Sequence, residues 1–217
     1  MTSVPILEPQ AAKKFQFVGG ELCLDFCNTV GGKRGVSTRE YLNSYAELLS
    51  WCEQAHLVTA TQAAALRREA QRAPELAAAV LARGIALREA VYEIFAAVAE
   101  RKLPSAPGME TLNAELARTL GRLRVRSHKA GFTWEWTSGE AALDQPLGPI
   151  ARSAAEMLVA NEGLSSVRRC AGDNCGWLFV DASKNHSRRW CDMRDCGNRA
   201  KVRRHRLRAT GRKRGAS

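Results

Sequence analysis

From Tyr41 onward the apolar positions recur with the period of a helix. Tyr41, Leu42, Tyr45, Leu48, Leu49 and Cys52 fall three or four apart, and Ser37 with Glu40 has capping-box spacing, so the pattern predicts a helix starting near Thr38. Thr59 and Gln62 repeat the capping signal and open a second helix through about Gln71. The third helix is the longest. Pro74 suits its first turn, and Leu76, Val80, Leu87, Val91, Ile94 and Val98 form one apolar stripe that runs until Pro104 stops it. Gly84 lies on that stripe, where the missing side chain lets another element come close. A short helix is predicted around Met109–Thr119 and a last one from Pro146 to Asn161.

Two stretches depart from this period. The segment FQFVGGELCLDFCNTV (Phe15 to Val30) reads as a short extended piece broken by Gly19 and Gly20, followed by a flexible GGKRG loop at 31–35. In RLRVRSHKAGFTWEWT (Arg122 to Thr137) the period becomes two. Leu123 and Val125 alternate with arginines, and Phe132, Trp134 and Trp136 alternate with Thr133 and Glu135. This predicts two antiparallel strands joined at HKAG, with an apolar face that closes over the helices. The expected fold class is α+β: a mainly helical N-terminal domain with a β-hairpin over residues 1–163, then a small module over residues 164–217.

Charge sharpens that boundary. The 217-residue chain carries a formal net charge of +11, yet residues 1–163 hold 18 Lys and Arg against 18 Asp and Glu, while residues 164–217 hold 15 against 4. The whole excess belongs to one quarter of the chain, which points to a polyanionic partner rather than to general solubility. At 45% hydrophobic, the chain can bury a core, but no apolar run is long enough to span a bilayer and the N-terminus lacks a secretory pattern. A cytoplasmic protein with no membrane partner is expected, in a compartment where clustered cysteines more often bind metal than pair.

The basic module contains Cys170, Cys175, Cys191 and Cys196, spaced C-x4-C-x15-C-x4-C. Two short pairs separated by a hairpin-sized loop can converge four thiolates on zinc, and about 50 residues with this much charge need such a staple to fold. Four thiolates leave no place for water, so the zinc (Zn2+) is expected to be structural. His186 and His205 read as surface residues or phosphate contacts rather than ligands. WLFVD (Trp177 to Asp181) reads as a strand with SRRWC (Ser187 to Cys191) as its partner, and Trp177, Phe179 and Trp190 as a small core around the metal.

From Cys196, GNRAKVRRHRLRA has good helix formers and a ring of cations. Arg188, Arg189, Asn198, Arg199, Lys201, Arg203, Arg204, Arg206 and Arg208 are the candidate DNA contacts, since guanidinium forks suit phosphates and guanine edges. The segment lacks the broad apolar face of a membrane-surface helix. CAGDNCGWLF followed by SRRWCDMRDCGNRAKVRRHR resembles the CGNR zinc finger, in which Cys196, Gly197, Asn198 and Arg199 stand for the name. GGELCLDFCNTV, with Trp51 late in the following helix, resembles the ABATE domain of bacterial stress-responsive transcription regulators. The resemblance implies a treble-clef-like finger with the four cysteines as ligands, DNA binding, and an N-terminal domain that senses a small ligand.

LDFCNT sets Asp25, Asn28 and Thr29 in an otherwise apolar run, where each needs either a backbone partner or a bound molecule. Arg39, Trp51 and Arg88 are candidates to complete a pocket around an anionic ligand. Cys23, Cys27 and Cys52 read as small buried hydrophobes. The chain carries no zincin motif, phosphate loop or nucleophile elbow, and no catalytic residues are expected. The resulting expectation is a transcription regulator with DNA and an unknown small ligand as partners. A single finger is a small reader, which favours a homodimer. The competing readings are an RNA-binding or ribosome-associated zinc module and an enzyme localised by the finger.

Overall fold

The computed structural model describes residues 14–137, 142–161 and 163–214, with side chains of the last helix described through Leu207. Its elements run α1 (Leu22–Cys27), β1 (Val30–Lys33), β2 (Ser37–Glu40), α2 (Tyr45–Gln54), α3 (Ala60–Arg72), α4 (Pro74–Ala99), α5 (Ala106–Leu120), β3 (Leu123–His128), β4 (Gly131–Trp136), α6 (Leu147–Ala160), β5 (Val167–Arg169), β6 (Leu178–Val180) and α7 (Asn198–Arg214). The strands form three separate antiparallel hairpins, and the fold is α+β with helices dominant.

α4 is the spine. Val80, Leu87, Val91, Ile94 and Phe95 are buried along it, and α1, α2, α3, α5, α6 and β5 all pack against it. Gly84 makes the α6 contact possible, because a Cβ there would stand 3.2 Å from Leu147 Cδ2. The stripe is shorter than its sequence pattern, since Leu76 at the first turn is exposed. Thr59 and Gln62 form the expected capping box of α3.

The segment around Cys23 is a helix rather than an extended piece. Cys23, Leu24, Phe26 and Cys27 are all buried, because α4, α6 and β6 surround α1. A helix covered on every side has no polar face, so it shows no 3.6-residue alternation. Its entry is fixed by Asp25, whose Oδ1 accepts the Gly19 N–H at 2.7 Å. A Cβ on Gly19 would sit 2.9 Å from Asp25 N, so the turn needs glycine.

Ser37 and Glu40 do not cap a helix either. They lie on β2, paired with β1 in the register Val30↔Glu40 and Lys33↔Ser37, so GGKRG belongs largely to a hairpin. The Glu40 carboxylate instead accepts the N–H groups of Tyr41 and Leu42 and both ends of the Arg88 guanidinium. α2 starts later, at Tyr45, with Ser44 as its cap accepting Glu47 N–H at 3.2 Å.

β3 and β4 pair as expected, with Val125 opposite Trp134 and Leu123 opposite Trp136. The apolar face of this hairpin does not close over the helices. Trp136 alone lodges tightly against α6, where its ring fills the space a side chain at Gly148 would take, while Val125, Phe132 and Trp134 are 59%, 78% and 55% exposed. Arg152 of α6 stacks on Trp134 with its guanidinium carbon 4.5 Å from the ring centre.

In the C-terminal part, the partner of β6 is β5, in the register Val167↔Val180 and Arg169↔Leu178, and SRRWC is not a strand. Val167 and Leu178 are buried in the same core as α1 and α4. That burial explains the pairing, since β5 brings an apolar anchor that SRRWC lacks. SRRWC instead passes the first cysteine loop, with Ala171 N–H donating to Arg189 O at 2.9 Å.

Candidate metal centre and adjoining cavity

The four cysteines reach one point from three directions. Cys170 and Cys175 flank a tight loop at the end of β5, Cys191 ends the SRRWC segment, and Cys196 lies in a π-helical turn (Met193–Gly197) that runs directly into α7. Asp192 starts that turn by accepting Arg194 N–H at 2.6 Å. Gly197 allows it to tighten, since a Cβ there would come 2.9 Å from Met193 Sδ.

All four sulfurs are buried and lie within 4.8 Å of one another, with Cys191 Sγ 3.7 Å from both Cys175 Sγ and Cys196 Sγ. Four sulfurs placed tetrahedrally at about 2.3 Å from zinc lie about 3.8 Å apart, so this cluster has the size of a zinc shell. Backbone N–H groups of Gly172 and Cys191 both approach Cys170 Sγ at 3.4 Å, and Arg199 Nη2 approaches Cys196 Sγ at 3.1 Å, as donors do around thiolates. The thiols also compete for protons. Hydrogen bonds from Cys175 and Cys191 pull the Cys170 thiol down, while the contact with Cys170 pushes Cys175 and Cys191 up. A divalent cation removes that conflict by accepting all four as thiolates.

Phe179 is buried beside the cluster and Trp177 and Trp190 pack against it, as expected for its small core. His186 is turned away, with Nδ1 3.1 Å from Asp181 O, and His205 is exposed on α7. Neither joins the four sulfurs.

Residues 20–161 match the family model ABATE, described as "Putative stress-induced transcription regulator", and residues 166–209 match the CGNR zinc finger. The chain belongs to the ABATE family. Its four-cysteine cluster is the structural zinc site of a CGNR finger, in which zinc would tie Cys170, Cys175, Cys191 and Cys196 into one rigid knot. No curated protein matches the chain closely enough to count as a relative.

The ABATE chain disposes the candidate DNA contacts unevenly. Arg189, Asn198, Lys201, Arg204 and Arg206 are exposed on or beside the finger, and Arg208 follows on α7, its side chain outside the described residues. Arg199 is exposed but tied to Asp195 at 3.2 Å and to Cys196 Sγ, and Arg203 pairs with Asp173 of the first cysteine loop. Arg188 is engaged within the finger instead. Its guanidinium stacks 4.4 Å from the Phe179 ring centre and donates to the carbonyls of Trp190, Cys191, Val180 and Val18, so it braces the finger rather than facing out. Asp181, fully buried, accepts Ser183 Oγ at 2.6 Å and Arg188 N–H at 2.9 Å, and the Ser183 bond holds its carboxyl below the usual range.

A cavity of about 370 Å3 lies between this finger and the helical domain. Asp25, Asn28, Thr29, Arg39 and Trp51 of the expected ligand set line it. Arg88 does not. Two hydrogen bonds of 2.7 Å to Glu40, one of 2.8 Å to Glu89 and one to Thr29 Oγ1 hold its guanidinium inside the fold. Asn28 and Thr29 are also satisfied by protein: Asn28 by the backbone of Leu178, Thr29 by donating to Phe26 O at 2.7 Å.

The opposite wall of the cavity comes from the finger itself, through Asn174, Cys175, Trp177, Cys191, Asp195 and Arg199. Nothing in the linear sequence connects these residues to LDFCNT, from which they are more than 140 positions away. Cys23, Cys27 and Cys52 are fully buried, and burial raises all three thiols, Cys23 to about 12.

Proposed function

We propose that this ABATE protein is a transcription regulator that grips duplex DNA with α7 and the zinc-braced finger, under the control of a small ligand held by the helical domain. The observation that carries this reading is the join between metal and helix. Cys196 lies in the turn that becomes α7, and Lys201, Arg204 and Arg206 are exposed on that helix beyond the zinc site. α7 leans mainly on that turn and has no apolar face: even Val202 and Leu207 are exposed. A cationic helix fixed at its base by the metal turn is suited to lie along a phosphate groove, where zinc sets its direction and phosphates supply affinity. The closed four-sulfur shell offers no coordination place for water, which supports a regulator over an enzyme.

Fluorescence anisotropy of the full-length zinc protein on duplex DNA tests this. Affinity should fall with salt by about 0.9 in log K per log unit for each phosphate neutralised. Binding that is independent of salt, or unchanged after chelation, is incompatible with the proposal. Stronger binding to structured RNA in direct competition would transfer the patch to RNA.

A further inference from the structure

We infer that the cavity between the helical domain and the finger takes a small planar organic carboxylate, received by Trp51 Nε1–H and Arg39. The inference rests on the ligand-controlled reading above and names the ligand class and its effect on the finger. Three observations carry it. The first is size and lining: about 370 Å3, within the roughly 300–1,000 Å3 of small-molecule sites, with Phe15, Tyr41, Trp51 and Trp177 as aromatic walls suited to a flat ring.

The second is an unpartnered donor. Trp51 is 0% exposed and lines the cavity, yet its Nε1–H has no acceptor among the described residues. Phe26 and Phe17, with ring centres 5.0 and 6.0 Å away, hold the indole in place. A buried N–H without an acceptor is rare unless a bound molecule supplies one.

The third is what the other wall groups have left to offer. Asn28 and Thr29 have partners inside the fold. Asp25 Oδ1 takes the Gly19 N–H, and Asp195 pairs with Arg199. Among the described residues Arg39 has no acid partner, only the Tyr41 ring at 5.6 Å, and Lys14 adds a second cation to the lining. On the helical-domain wall the two cations Arg39 and Lys14 exceed the one carboxylate of Asp25, and the Trp51 N–H adds a free donor, so the complementary group there is an acceptor with negative charge, and a carboxylate presents both to an indole N–H and a guanidinium.

The finger forms the far wall, with Arg199 lining the cavity while its Nη2 donates to Cys196 Sγ. A ligand lodged there touches both bodies at once. It therefore holds the zinc-bearing loops against the helical domain and slows their opening to solvent.

The test uses the full-length zinc protein with benzoate and indole-3-acetate, each compared with its neutral amide. Calorimetry should show the acids binding about tenfold more tightly than the amides, the effect of one charge-assisted contact. In 1H–15N spectra the Trp51 indole N–H should shift on binding. Arg39→Ala, which alters an exposed side chain, should weaken the acids about tenfold, and Trp51→Phe should do so while keeping the aromatic wall. Transfer of zinc to a colorimetric chelator should slow several-fold with benzoate in the parent protein and not in Arg39→Ala. Equal binding of acids and amides, an unmoved Trp51 resonance, no binding of any probe, or zinc transfer at an unchanged rate each overturns the inference. If the acids bind as described and DNA affinity does not respond, the site stands and ligand control of DNA binding fails.

Discussion

The side chain of Asn28 hydrogen-bonds both backbone groups of Leu178, with Nδ2 donating to Leu178 O at 2.9 Å and Oδ1 accepting Leu178 N–H at 3.0 Å. An amide used this way imitates the edge of a neighbouring strand, and β6 of the finger is thereby held to the end of α1. Val180 N–H to Gly19 O at 2.8 Å and Trp177 Nε1–H to Val30 O at 2.7 Å reinforce the same seam. Asn28→Ala leaves two buried backbone groups without partners and should cost about 2–3 kcal/mol in denaturant unfolding. A loss below about 0.5 kcal/mol would mean that the seam is carried by the apolar contact of Leu178 alone.

Removal of zinc acts on a different part of the structure. Cys170, Cys175, Cys191 and Cys196 cross-link three segments of low regular structure, whereas Val167 and Leu178 remain anchored in the core of the helical domain. Cys175→Ala or chelation should lower the melting temperature and abolish DNA binding, yet leave most of the far-UV helical signal, because the helices are packed into a hydrophobic core separate from the cysteine cluster. Complete loss of helix on chelation would show that the two parts fold as one unit.

Two arginines of the same basic module should separate structure from binding. Arg188 donates to four carbonyls and stacks on Phe179, so Arg188→Ala should destabilise the protein by about 2–3 kcal/mol whether or not DNA is present. Arg204 is exposed on α7, and Arg204→Ala should leave the melting temperature within about a degree while reducing the salt slope of DNA binding by about 0.9. The opposite outcome would exchange their roles.

The contrast between these residues also explains what could be read from the chain alone. The stripe of α4 was legible because one face is buried and the other wet, and the four cysteines because their spacing is local. α1 was misread because Leu24, Phe26 and Cys27 leave no exposed side to give a period. Glu40 was misread because Arg88, 48 positions away, claims its carboxylate in preference to a cap. The cavity was only half legible. Asp25 stood out as a polar group in an apolar run, and Arg39 and Trp51 as candidates to complete a pocket around it, but the wall containing Cys175 and Arg199 exists only once the finger is seated.

Asp25 gives the clearest dependence on pH. Burial raises its carboxyl from 3.8 to about 6, against the opposing hydrogen bond from Gly19 N–H. Between about pH 4 and pH 6 the folded protein therefore binds more protons here than the unfolded chain, and stability falls as pH rises through that window. Two units correspond to about 3 kcal/mol, lost progressively and constant above about pH 7. Asp25→Asn keeps an oxygen for the Gly19 N–H and removes the titrating proton, so it should gain stability relative to the parent by about 3 kcal/mol between pH 4 and pH 8. Urea unfolding of both proteins at those two pH values measures the difference directly. A constant difference would mean that the Asp25 carboxylate is solvated in the folded protein and that its burial costs nothing.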